Sequence, residues 1–188
     1  MYLLSSIGLS TPRVYTRIQA IIVEKVVRSV AIIVNSSVQK SRNKYFILAR
    51  KQLESMGIIQ VKYFDLESEN VEELKAFDMI YIPGGNTFLL LQVIEDNNLF
   101  FALQKILSEK IVIGVSAGAL LLTPTIRIAN EIEPDEYLTV KSMDGLTLVD
   151  FEVYPHYTQE VEKEIQAYEA KYKVTVRRIT DTDFIEIP

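Results

Sequence analysis

The chain has 188 residues, 48% hydrophobic and 24% charged, enough apolar material for one full core, and a single domain over residues 1–188 is expected. Twenty Lys and Arg against 25 Asp and Glu give a formal net charge of −5, with no basic run beyond pairs such as Arg177-Arg178, which excludes nucleic acid as the main partner. No window reaches the ~20 uninterrupted apolar residues needed to span a bilayer, residues 1–10 lack the pattern of a signal peptide, and the absence of cysteine excludes disulfides and thiolate metal sites; a cytoplasmic protein with no membrane contact is expected.

Pro12 suits the start of a helix over residues 13–27. Short β-branched runs follow at residues 30–34, 59–64, 79–82 and 111–115, separated by longer charged stretches of helical period. Residues 41–57 carry Tyr45, Leu48, Ala49, Leu53 and Met56 close to i, i+3, i+4 spacing and stop at Gly57, a residue suited to the C′ position. Residues 87–95 and 99–107 read as helices. A strand-like run begins at Leu146 and leads to His156; a helix over 159–172 follows, then residues 174–179 and an edge strand at 184–187. Strands alternating with helices in this way predict βαβ units and a parallel sheet. Ligands of such α/β folds bind outside the carboxyl ends of the strands.

Two motifs fall at those ends. In residues 110–122 an apolar run meets Gly114-Val-Ser-Ala-Gly118 and then small helix-forming residues, the pattern of a nucleophile elbow in which a strained turn points the Ser116 hydroxyl outward. Pro83-Gly84-Gly85-Asn86-Thr87 follows the run at 79–82 and presents backbone N–H groups at a helix start, where an oxyanion is stabilised. The N–H groups of Ala117 and of the Gly84-Gly85 turn, there from Gly85, are the expected oxyanion hole. A competing reading makes both motifs simple packing turns.

His156 is the only histidine, so any imidazole that activates Ser116 is His156, held just after Pro155. Imidazole as a class titrates at about 6.5, close to working pH, as a general base requires. The third group that orients the ring is open among Glu131, Glu133, Asp135, Asp150, Asp181 and Asp183, because triad members meet only in the fold. With one histidine and no cysteine, neither a metal nor another cofactor is expected.

Ile82-Pro-Gly-Gly-Asn-Thr-Phe88, Gly114-Val-Ser-Ala-Gly-Ala119, Pro124-Thr-Ile-Arg127 with Asn130-Glu131, and Tyr154-Pro-His-Tyr157, in this order, resemble peptidase family S51, which includes aspartyl dipeptidases. The resemblance implies a three-layer αβα sandwich with a mostly parallel sheet, like the flavodoxin-like class I glutamine amidotransferases, with serine in place of their cysteine nucleophile. It carries the nucleophile onto Ser116 and the base onto His156. Its acidic position after the elbow falls on Glu131, where the dipeptidases have aspartate, and a second acidic position falls near Asp181. Glu131 is the first choice for orienting the ring and Asp181 the second. The implied substrate is a short peptide, foremost a dipeptide with N-terminal aspartate, and Asn86, Thr87 and Arg127 are the expected substrate contacts.

Two departures stand out. An arginine-rich stretch of the family is replaced by Gln159-Glu-Val-Glu-Lys-Glu-Ile165, and the chain stops at Pro188, so that an edge strand or cap is expected to be missing. The alternative is therefore a catalytically weak relative that binds a ligand or partner through the same cleft. An α/β-hydrolase esterase is disfavoured, since only 40 residues separate Ser116 from His156. The helix at 159–172 or the last strand offers a face for a homodimer.

Overall fold

The computed structural model describes residues 1–134 and 140–188. Asp135, one of the carboxylates considered above, lies outside the described residues. The elements run β1 (Tyr2–Ser5), α1 (Pro12–Glu24), β2 (Ser29–Ile33), α2 (Lys44–Ser55), β3 (Gln60–Phe64), β4 (Met79–Ile82), α3 (Thr87–Asp96), α4 (Phe100–Ser108), β5 (Ile111–Val115), α5 (Ala117–Leu121), α6 (Arg127–Ile132), β6 (Glu152–Tyr154), α7 (Glu162–Tyr172), β7 (Val176–Arg178) and β8 (Phe184–Ile187).

Six strands form one sheet in the order β3-β2-β4-β5-β1-β8. All neighbours are parallel except β8, which pairs antiparallel with β1, Tyr2 opposite Ile187 and Ser5 opposite Phe184. Parallel strands covered on both faces must be apolar throughout, and β4, Met79-Ile-Tyr-Ile82, is buried at every position. Leu4, Ile80 and Val112 face a core built with α3, α4, α5, α6 and α7, whereas Leu3, Ile32 and Ile113 face α1 and α2. The result is the three-layer α/β sandwich expected from the sequence. Strands β6 and β7 form a separate parallel pair at the carboxyl edge.

Local chemistry sets most boundaries. The Asn43 side chain accepts the Tyr45 N–H at 2.9 Å to start α2. That helix closes with Gly57 at φ +92°, its N–H on Glu54 O and the Ile58 N–H on Leu53 O, the paired bonds of a Schellman motif.

Three features differ from the sequence reading. Helix α1 stops at Glu24 rather than 27, because Val26 turns to φ +54° and the Val27 N–H closes back on Ile22 O at 2.9 Å. The run from Leu146 is a strand only at Glu152–Tyr154. Its first part caps α5 instead: Leu146 N–H donates to Leu121 O at 2.7 Å and Leu148 N–H to Leu122 O at 2.9 Å, satisfying carbonyls that a helix end leaves open. Finally β1, a stretch of four residues not singled out above, is an inner strand between β5 and β8.

Candidate active site

Strand β5 delivers Ser116 to the carboxyl edge in a conformation that an L-residue rarely adopts, φ +48° and ψ −107°. The Ser116 N–H is tied to Ser5 O on β1 at 2.8 Å, and α5 begins at the next residue. The turn can lie this close to β4 only because residue 118 is glycine: a Cβ there would stand 2.1 Å from Ile82 O. Gly85 in the β4 loop has φ +145°, and a Cβ on it would stand 2.2 Å from Ser36 O. The same loop is clipped to the end of β2 by the Asn86 N–H on Ser36 O at 2.8 Å.

His156 follows β6, also at positive φ (+57°). Its Nε2 lies 2.9 Å from Ser116 Oγ, and its Nδ1 lies 2.8 Å from Asp181 Oδ1. With the ring proton on Nδ1 and donated to Asp181, Nε2 is free to accept the serine proton, the division of labour a serine triad needs. Both loops are tied to the amino-terminal part of the chain. The Ser6 hydroxyl, buried just beyond β1, accepts the His156 N–H at 2.9 Å and donates to Ile179 O at 2.9 Å, and the Thr11 hydroxyl donates to Asp181 O at 2.8 Å.

Glu131, the first choice from sequence, is not at the ring. It sits on α6 facing α7, where the Tyr172 hydroxyl at 2.6 Å and the Lys171 ammonium at 2.9 Å hold its carboxyl below the usual range. Asp181 takes the place beside Nδ1 because the turn after β7 lies against the β6 loop: Ile179 N–H donates to Tyr154 O and Tyr157 N–H to Ile179 O, both at 3.0 Å. Asp183 pairs with Arg13 and Thr180, and Asp150 is exposed. Arg127 stacks its guanidinium 4.7 Å from the Tyr172 ring centre and is not among the residues that line the cleft.

The cleft beside Ser116 has a volume of about 550 Å³. Asn86 and Thr87 line it at the start of α3, where the Asn86 Oδ1 caps the helix by accepting the Leu89 N–H at 2.9 Å. Glu133 also lines it, near Tyr154, whose phenol is raised by burial first and by the Glu133 carboxylate second. The N–H of Ala117 opens α5 and has no intrahelical acceptor. Gly85 N–H takes no backbone acceptor among the described residues. No metal-holding group of His, Asp or Glu is present among the described residues.

Nothing in local spacing pointed to Ser6 or Thr11. Asp181 is set apart from the other carboxylates only by the second acidic position that the family resemblance implies.

Fold and site geometry place the chain among α/β sandwiches that carry a serine at a strand-to-helix turn beside a histidine. Residues 2–187 match the model of Peptidase family S51. The chain belongs to this family, and as an enzyme it is of the serine-peptidase class. It is 33% identical over 144 residues to an uncharacterized peptidase of Listeria monocytogenes, covering 73% of this chain and 70% of that protein. It is 29% identical over 136 residues to peptidase E of Nostoc sp., covering 72% and 54%. A crystal structure from Listeria monocytogenes EGD-e assigned to peptidase E superposes with a TM-score of 0.75 at 27% identity, covering 99% of this chain and 93% of the other. Among the described residues no helix is long and apolar enough to cross a membrane.

Proposed function

We propose that the chain hydrolyses short peptides through an acyl-enzyme on Ser116, with dipeptides bearing N-terminal aspartate as the first substrate class. The reading is carried by one observation: a serine at φ +48° has its hydroxyl 2.9 Å from an imidazole whose other nitrogen is 2.8 Å from a carboxylate. Ser116 Oγ attacks the scissile carbonyl carbon while His156 Nε2 takes its proton. His156 returns that proton to the leaving amine as the C–N bond breaks, and a water then repeats the sequence to release the acid. Asp181 keeps the ring in the required tautomer and offsets its transient positive charge. The N–H groups of Ala117 and Gly85 hold the oxyanion, each such donor typically contributing about 3–4 kcal/mol in the transition state.

The preference for aspartate is supported by the relatives, among them a Drosophila melanogaster protein described as a probable alpha-aspartyl dipeptidase. Within the cleft the N–H groups of Thr87 and Phe88, in the first turn of α3, receive the substrate carboxylate. Glu133 receives the α-ammonium. A screen of X-Leu dipeptides, Asp-Leu included, with wild type and Ser116→Ala side by side tests the reading. Loss of at least about 10³-fold in the variant is expected; an unaltered rate sinks it.

A further inference from the structure

Two cavities open onto Ser116. The polar cleft described above lies on the face of the sheet that carries α3, α5 and α6. A second cavity, also about 550 Å³, lies on the opposite face, between α2 and the turn after β1. Gly85, Ser116 and His156 line both. The winding of the chain explains the pair: β1 and β2 send α1 and α2 to one face, β4 and β5 send α3, α4 and α5 to the other, and the loops between them splay apart at the carboxyl edge.

The chemistry of the second cavity is different. Leu9, Phe46 and Val115 form its floor, and Ile7, Tyr45 and Leu48 line its mouth while remaining 38%, 64% and 46% exposed. Two of the polar side chains there are already engaged: Gln52 Nε2 donates to Leu9 O at 3.1 Å, and Asn43 donates to Ser37 Oγ at 3.0 Å while capping α2. Large apolar side chains held open to water around a concave floor gain by covering, and a ligand that brings apolar surface is what covers them.

We propose that this second cavity receives the apolar side chain of the substrate residue that follows the scissile bond, so that the enzyme selects short peptides with a bulky apolar residue there. This rests on the reading of Ser116 as the nucleophile. Continuity with the catalytic ridge identifies the occupant. In an extended peptide successive side chains point to opposite sides. A peptide lying across the ridge with its carbonyl at Ser116 therefore sends one side chain into the polar cleft and the next into the apolar cavity. The polar cleft supplies the partners a charged N-terminal residue needs, which leaves the apolar cavity to the residue on the amine side.

A series of alkyl methylphosphonofluoridates, methyl to pentyl, reads this on Ser116 directly. The Oγ–P bond forms, the P–F bond breaks, fluoride leaves and the hydroxyl proton goes to His156. The rate of labelling is expected to rise at least tenfold along the series, each buried methylene giving at most about fourfold. Leu48→Asp and Tyr45→Ser, both at exposed positions, are expected to flatten that rise and to collapse the Asp-Leu to Asp-Ala ratio of kcat/KM. A rate independent of chain length, or a dependence that both variants retain, overturns the inference while leaving the peptidase reading intact. No adduct on Ser116 with any member overturns the nucleophile reading itself.

Discussion

Ser6 and His156 are 150 residues apart in the chain, yet the Ser6 hydroxyl accepts the His156 N–H at 2.9 Å and in the same geometry donates to Ile179 O, two residues before Asp181. One buried side chain thus ties the segment that carries the imidazole to the segment that carries the carboxylate beside it.

Replacing Ser6 by alanine strands the His156 N–H in a partly buried setting and leaves the buried Ile179 carbonyl with the Tyr157 N–H alone. The expected cost is about 1–2 kcal/mol of stability, measured by urea unfolding, together with about a tenfold fall in kcat from a less well-held ring. A variant with unchanged kcat refutes the positioning role.

Asp181 and Glu131 are separated by a direct comparison. Asp181→Asn removes the negative charge that favours the Nδ1–H tautomer and offsets the imidazolium, and is expected to lower kcat by about 10²–10⁴-fold, toward the smaller end because the pair is half exposed. Glu131→Gln alters only the contact with Lys171 and Tyr172 and is expected to stay within about threefold of wild type. Steady-state dipeptide hydrolysis checks both, and a reversed order returns the orienting role to Glu131.

Gly85→Ala combines a φ of +145° with a Cβ 2.2 Å from Ser36 O. A loss of about 3 kcal/mol is expected, with the β4 loop displaced from Ser116. Thermal unfolding and the rate of fluorophosphonate labelling follow the two effects, and a variant of wild-type stability and labelling rate contradicts the close approach.

Glu152 supplies a pH dependence of stability. It is buried on β6 with the Tyr168 hydroxyl donating to it at 2.6 Å, and burial raises its pKa above the usual carboxylate value. The native state then keeps this proton to higher pH than the unfolded chain does, so the contribution of Glu152 to stability is greatest in acid and declines as pH rises from the ordinary carboxylate range through the raised value. Glu152→Gln keeps an acceptor for Tyr168 and removes the buried charge. It is expected to be more stable than wild type by about 1 kcal/mol at pH 8 and to lose that advantage near pH 4. Equal urea midpoints at pH 8 would contradict the assignment.

Much of the frame was legible because it depends on short-range patterns. Alternating apolar runs and helical stretches announced β2 to β5, and Gly57 marked the end of α2 through a backbone conformation that glycine adopts without strain. The run from Leu146 misled for an equally physical reason. Its apolar residues are buried, as in a strand, but its N–H groups are consumed by the carbonyls of α5 rather than by a neighbouring strand. Strand β1 is not legible in the sequence, because four residues carry too little periodicity to separate a strand from a buried turn.

By itself the sequence determined the chemistry on offer: a serine in a glycine-flanked turn, a Gly-Gly loop after a strand, and one imidazole to serve them, each a matter of residue type and near neighbours. Only the tertiary structure decided which carboxylate meets that imidazole and that a second, apolar cavity shares the serine. Those outcomes depend on how the loops after β1, β6 and β7 rest on one another and on which face each crossover helix packs, relationships between residues up to 173 positions apart that no spacing along the chain encodes.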